Sequence, residues 1–197
     1  VATTDEYFVK YDVPTTFTIR GKTVIVENEQ LAAALLRLPE KRQEVLCAYL
    51  ILRRALREQY RWQEIPPVVC EDGGKPFFPD APQVQFNLSH TAGAVLAALS
   101  DRPVGVDIER IRPLSPLARR RLAEGTSQEA FFADWVRREA VGKWMGAGVR
   151  PHGQETVCPP DCRFFPLETF AGYAAGICVG AGAETLEIHR HHLTELL

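Results

Sequence analysis

Val104-Gly-Val-Asp-Ile-Glu109 is the stretch that decides the fold. The alternating Val104, Val106 and Ile108 predict a strand with one apolar face. Successive side chains of a strand point to opposite sides, so Asp107 and Glu109 would both leave the other face. A strand here therefore predicts two carboxylates side by side.

A second stretch, Trp135-Val-Arg-Arg-Glu-Ala-Val-Gly-Lys143, predicts a helix. Residues four apart lie on one helix face, so Glu139 and Lys143 would sit one turn apart. Together with Asp107 and Glu109 they would supply three oxygen donors and an ammonium. Such a set can surround a divalent cation and a phosphate, as phosphoryl-type chemistry requires. The plainer interpretations are a solvated strand edge and an ordinary helical ion pair.

The composition is that of a globular protein. The chain has 197 residues, of which 46% are hydrophobic and 24% charged, enough for one substantial domain or two small halves. A formal net charge of −2 argues against nucleic-acid binding through bulk charge. No apolar run approaches the roughly 20 residues that a membrane helix needs, so we expect no membrane segment.

The five cysteines are scattered, at positions 47, 70, 158, 162 and 178. An odd, scattered set does not predict a disulfide framework, and a reducing cytoplasm is the expected location. Cys158 and Cys162 are four residues apart, but the sequence shows no second pair of ligands at a suitable spacing. A zinc site at these two cysteines is therefore not expected.

The order of the predicted elements indicates two similar halves. We expect α+β architecture, a pseudodimer with an active site between the halves 1–102 and 103–197, and a monomeric chain. Strands are predicted at 8–9, 16–19, 23–26, 83–88, 94–99, 104–108, 172–179 and 185–189, with a polar bend at 89–93. Helices are predicted at 30–38, 40–62, 114–122 and 129–144.

Further motifs complete a resemblance to a known family. Gly74-Lys-Pro76 and Phe86-Asn-Leu-Ser-His90 precede the two stretches above. In this order and spacing, the chain resembles the 4′-phosphopantetheinyl transferases, of the larger, pseudodimeric kind that activates surfactin-type synthetases. The resemblance runs from about Pro39 to the C-terminus. It implies transfer of phosphopantetheine from coenzyme A to a serine of an acyl or peptidyl carrier protein, with magnesium.

The resemblance also implies roles for individual residues. Asp107, Glu109 and Glu139 match the metal ligands, and Glu139 could also accept the serine proton. Lys143 matches the residue that neutralises the leaving phosphate. The remaining matches are contacts to coenzyme A: Gly74, Lys75, Pro76, Ser89, His90 and Arg53. Among them, the hydroxyl of Ser89, the imidazole of His90 and the ammonium of Lys75 are matched to the 3′-phosphate.

Two departures from the family pattern keep an alternative open. The family usually has Lys where this chain has Arg138, and its basic stretch before the first long helix is reduced here to 38–42. A non-catalytic module that binds coenzyme A or a carrier protein is therefore the alternative. A metal-dependent phosphohydrolase is a weaker one, because Ser89, His90 and Lys75 would then have no purpose.

Overall fold

The computed structural model describes residues 2–3, 15–19, 22–26, 40–70, 74–115, 126–146, 158–182 and 186–192, with side chains between residues 43 and 190. The mixture of helices and small sheets is α+β, as predicted. The predicted elements at 8–9, 30–38 and most of 114–122 lie outside the described residues. In the described part the elements are β1 (Ala2–Thr3), β2 (Thr15–Ile19), β3 (Lys22–Val26), α1 (Glu40–Tyr60), β4 (Val69–Cys70), β5 (Pro76–Phe77), β6 (Gln85–Thr91), β7 (Ala94–Ser100), β8 (Val104–Arg110), α2 (Gln128–Trp144), β9 (Cys162–Leu167), β10 (Tyr173–Gly180) and β11 (His191–His192).

The strands form two larger sheets and two hairpins. The first sheet has the order β11-β1-β7-β6, and the second has the order β8-β10-β9. β2 pairs with β3, and β4 pairs with β5. β11 comes from the far end of the chain and joins the first sheet beside β1. None of the described helices is both long enough and apolar enough to cross a membrane.

Helix α1 packs its apolar stripe against the first sheet. Leu52 and Leu56 are completely buried and contact Phe78 and Phe86 in one core cluster. These two leucines lie one turn apart, as the predicted stripe requires. The helix ends where Arg61 adopts a left-handed φ of 62°. The predicted helix at 40–62 is thus confirmed to within two residues.

The hairpin of β6 and β7 corrects one prediction. The polar residues 89–93 were expected to form a bend, but Ser89, His90 and Thr91 continue β6 and pair with β7. The turn itself is Ala92-Gly93, in which Gly93 has a φ of 81°. Polar side chains favour turns by default, and here hydrogen bonds to another strand outweigh that preference.

The second sheet differs from the prediction in two places. β10 confirms the strand expected at 172–179, but its neighbour β9 was not predicted. The strand expected at 185–189 is wrong, since residues 186–189 have no strand structure. Leu186 and Ile188 alternate as strand residues do, yet they are 38% and 47% exposed. An alternating pattern is therefore not sufficient to make this segment a strand, because a strand also needs a sheet edge to pair with.

Side chains of β6 join the two sheets. Three polar residues of β6, spaced two apart, accept hydrogen bonds from alternate N–H groups of β8. This occupies N–H groups that β8, at the edge of its own sheet, would otherwise leave unpaired. The bonds are Val106 N–H to Asn87 Oδ1 (2.9 Å), Ile108 N–H to Ser89 Oγ (3.3 Å) and Arg110 N–H to Thr91 Oγ1 (3.3 Å).

Removing the first of these bonds should destabilise the protein measurably. Asn87 is 4% exposed, so Asn87→Ala leaves the buried N–H of Val106 without its partner. We expect a loss of about 1–3 kcal/mol in the free energy of unfolding. Thr91→Ala is the matched control, because its bond to Arg110 is exposed and should be worth about 0.5 kcal/mol or less. Urea unfolding measures both, and equal losses would contradict the buried role of Asn87.

Candidate active site

The predicted strand and helix meet at one place. β8 extends from Val104 to Arg110 and α2 from Gln128 to Trp144, and the two elements are in contact. The side chain of Ser127 accepts a hydrogen bond from the N–H of Ala130 at 3.1 Å and so caps the first turn of α2. The strand that carries Asp107 and Glu109 thus lies against the helix that carries Glu139 and Lys143.

Gly105 sets how closely the helix approaches the strand. A Cβ at this position would lie against the carbonyl oxygen of Ala140 and the backbone nitrogen of Trp144, well inside van der Waals contact. Only a residue without a side chain allows the backbones of β8 and α2 to come this near. This approach brings the end of α2 within reach of Asp107.

Lys143 occupies the centre of the site. Its Nζ donates to Asp107 Oδ1 at 2.7 Å, to Val106 O at 3.0 Å and to Ser89 Oγ at 3.1 Å. An ammonium has three donors, so these three acceptors use them all. The ion partner of Lys143 is therefore Asp107 across the interface, instead of Glu139 one turn earlier on the same helix.

Asp107 has one occupied and one unoccupied oxygen. The residue is 5% exposed, and its Oδ1 accepts from Ser89 Oγ at 2.8 Å as well as from Lys143. Its Oδ2 is buried and has no hydrogen-bond partner among the described residues. A buried carboxylate oxygen without a donor is costly, and a cation or a ligand hydrogen would relieve that cost.

Glu139 lies close enough to the other carboxylates to sense their charge. It is 8% exposed. Desolvation by burial raises the pKa of its carboxyl, the negative charges of Asp107 and Glu109 raise it further, and Lys143 opposes them. A raised pKa favours the protonated form and makes the ionised carboxylate a stronger base.

The three carboxylates fit a divalent cation by their chemistry. They are hard oxygen donors, one oxygen has no described partner, and a cation between them would relieve their mutual repulsion. Their oxygens do not all lie within 4.8 Å of one another, however. Asp107 is held by Lys143, and Glu109 Oε2 accepts from Arg112 at 3.1 Å.

The side chains of Ser89 and His90 lie on opposite faces of β6. Neighbouring residues of a strand point to opposite faces, and here Ser89 turns inward to Asp107 while His90 turns towards α1. Nδ1 of His90 lies 2.8 Å from Oε2 of the buried Glu44. The polar alternation Asn87-x-Ser89-x-Thr91 was the signal for the inward face. Nothing local in the sequence indicated Glu44.

The remaining predicted contacts lie around this centre. Nζ of Lys75 donates to the carbonyl oxygen of Trp144 at 3.4 Å, so its charge sits at the C-terminal end of α2. Gly74 has a φ of 78°, which glycine adopts freely, and Pro76 begins β5. Arg53 is 7% exposed on α1, so it does not belong to a solvated helix face.

Comparison with known proteins establishes the family. The chain is 32% identical over 149 residues to the 4′-phosphopantetheinyl transferase AcpT of Salmonella typhi, covering 66% of this chain and 74% of AcpT. It is 27% identical over 192 residues to the 4′-phosphopantetheinyl transferase Sfp of Bacillus subtilis, covering 77% of this chain and 85% of Sfp. No protein-family model matches the chain. The chain belongs to the 4′-phosphopantetheinyl transferases, and the predicted family and enzyme class are confirmed.

Proposed function

We propose that this enzyme transfers 4′-phosphopantetheine from coenzyme A to a serine of an acyl or peptidyl carrier protein and releases 3′,5′-ADP. The observation that supports this most is the contact of Lys143 with Asp107 and Ser89, next to Glu139. It places a cation and several carboxylates together, as transfer of a phosphoryl group from a pyrophosphate to a hydroxyl requires. The alternative, a non-catalytic module, would have no use for this buried charge cluster.

We propose that Asp107, Glu109 and Glu139 hold Mg²⁺. Magnesium is commonly bound by one or two protein carboxylates, by waters and by substrate phosphates, so the three side chains need not all coordinate it directly. When bound, the ion supplies positive charge at the pyrophosphate of coenzyme A. Oδ2 of Asp107, which has no partner among the described residues, is the first oxygen we assign to it.

The protein's own groups then divide the work of the transfer. The carrier serine oxygen attacks the β-phosphorus of coenzyme A, and the bond from that phosphorus to the bridging oxygen breaks. Glu139, directly or through a water, takes the proton that the serine loses. Lys143 lies beside it and stabilises the negative charge on the departing 3′,5′-ADP. Ser89 positions Asp107 by donating a hydrogen bond to its Oδ1.

The coenzyme A end of the site is assigned to residues from the first half of the chain. Lys75 and His90 carry groups that can bind the 3′-phosphate, and Gly74 with Pro76 shapes the loop beside it. Arg53 would act from α1. We assign Ser89 to Asp107 instead of to the phosphate, because its hydroxyl already donates to that carboxylate.

We further propose that the chain is a pseudodimer that acts as a monomer in the cytoplasm. Each half, 1–102 and 103–197, has one described long helix packed against one of the larger sheets, with β6 and β8 at the junction. β11 belongs to the second half but pairs with β1, so one strand of the second half extends the sheet of the first. An internal pairing of this kind would make a second copy unnecessary for the site.

Loading of apo carrier proteins tests the proposed reaction. The enzyme is incubated with coenzyme A, Mg²⁺ and apo carriers from fatty-acid, polyketide and nonribosomal-peptide systems. Intact-mass spectrometry should show one added phosphopantetheine on at least one carrier, and none on a carrier whose acceptor serine is replaced by alanine. Binding of coenzyme A without any mass gain on all carriers would instead support the non-catalytic alternative.

A further inference from the structure

Three of the five cysteines converge behind the proposed active site. The sulfur atoms of Cys158, Cys162 and Cys178 all lie within 4.8 Å of one another, a closeness that three carboxylate, imidazole or thiol ligands reach nowhere else among the described residues. Cys162 is the first residue of β9, Cys178 lies on the neighbouring strand β10, and Cys158 precedes β9. We propose that this cluster is a binding site for one soft metal ion of the zinc type, held by three thiolates.

The distances suit such an ion. A tetrahedral zinc site with Zn–S bonds of about 2.3 Å separates its sulfurs by about 3.8 Å. Sγ of Cys162 and Sγ of Cys178 are 3.1 Å apart, and Sγ of Cys158 donates to the backbone oxygen of Cys162 at 3.5 Å. Because all pairs already lie within 4.8 Å, the sulfurs need to move by only about 1 Å or less. A fourth ligand would come from solvent on the side of the half-buried Cys158.

The surroundings of the two strand cysteines are apolar. Cys162 and Cys178 belong to a core cluster with Ala140 and Val141 of α2. Burial raises the pKa of the Cys178 thiol and raises that of the Cys162 thiol to about 11, so these two thiols are neutral and compatible with this apolar environment. On binding, each thiol would give its proton to the buffer as its sulfur coordinates the cation.

The site would brace the helix that carries the proposed catalytic residues. Ala140 and Val141 face the cysteines, while Glu139 and Lys143 of the same helix belong to the proposed active site, where Lys143 contacts Asp107. An ion held by β9, β10 and the segment before them would therefore fix the support of α2. The proposal does not depend on the transferase reaction, because its ligands and its measurements are separate from that site.

Cobalt substitution tests the site directly. The reduced, metal-free protein is titrated with Co²⁺, and we expect thiolate-to-cobalt absorption that saturates at one equivalent and disappears when Zn²⁺ is added. Cys158→Ser should lose this absorption, and because Cys158 is only half-buried the variant should still fold. The matched control is Cys70→Ser, an exposed cysteine outside the cluster, which should keep it.

Thermal unfolding supplies an independent readout. At a free Zn²⁺ concentration about one hundred times the dissociation constant, the midpoint should rise by roughly 5–10 °C in the wild type and not in Cys158→Ser. The proposal is overturned if the reduced protein shows no thiolate–cobalt absorption, or if Cys158→Ser keeps it. A Cys162–Cys178 disulfide that forms readily in a protein that never binds Co²⁺ after reduction would equally overturn it.

Discussion

Asp107→Asn should lower the rate of carrier loading by about 10²–10³-fold, similar to the effect of removing one preorganised electrostatic group from an active site. Asparagine keeps the shape of the side chain and can still accept the hydrogen bond from Lys143 at Oδ1. It loses the negative charge and replaces the oxygen Oδ2, which has no described partner, with an amide nitrogen that donates hydrogen bonds and cannot coordinate a cation. The loss should therefore appear in the rate of transfer more than in folding.

Two matched variants separate charge from position. Ser89→Ala removes a hydrogen bond to Asp107 without removing charge, so we expect a smaller loss of about 10–100-fold. Asp80→Asn alters an exposed turn residue and should load carriers at the wild-type rate. The measurement is the initial rate by intact mass, with circular dichroism to confirm folding. Loading by Asp107→Asn at nearly the wild-type rate would remove Asp107 from the proposed site.

The sequence predicted the faces of the elements but not the contacts between them. Strand alternation placed Asp107 and Glu109 on one side, and helical spacing placed Glu139 and Lys143 on one side. Which carboxylate Lys143 would contact depends on the distance between β8 and α2. That distance depends on tertiary packing at Gly105. Neither the strand alternation nor the helical spacing predicts it.

Two further differences have a similar cause. Ser89 was assigned to a bend because polar residues favour turns, whereas hydrogen bonds to β8 keep it in a strand. Cys158 and Cys162 offered too few ligands for a metal site in the sequence, because the third thiol, Cys178, lies 16 residues beyond Cys162 in the chain. Antiparallel pairing of β9 with β10 removes that separation, and pairing between strands is what local spacing rules cannot supply.

Gly105→Ala should be the most damaging single methyl group in the described part of the site. The added Cβ would meet the carbonyl oxygen of Ala140, the nitrogen of Trp144 and, at 2.9 Å, the Cα of Trp144. These are backbone atoms of a helix, so no side chain can rotate away, and α2 itself must shift from β8. We expect a loss of about 3 kcal/mol in the free energy of unfolding. This corresponds to a fall of roughly 6–12 °C in the thermal midpoint.

The same shift should reduce transfer even at temperatures where the variant is folded. Moving the end of α2 lengthens the 2.7 Å contact between Lys143 and Asp107, and misplacement of about 1 Å can cost about 10²-fold in rate. Gly180→Ala is the matched control in β10, because its nearest atom is a side-chain carbon of Arg102 at 3.8 Å, ordinary contact. Thermal unfolding and carrier loading are measured on both variants. If Gly105→Ala matched Gly180→Ala in both, the close approach of strand and helix would not be what assembles the site.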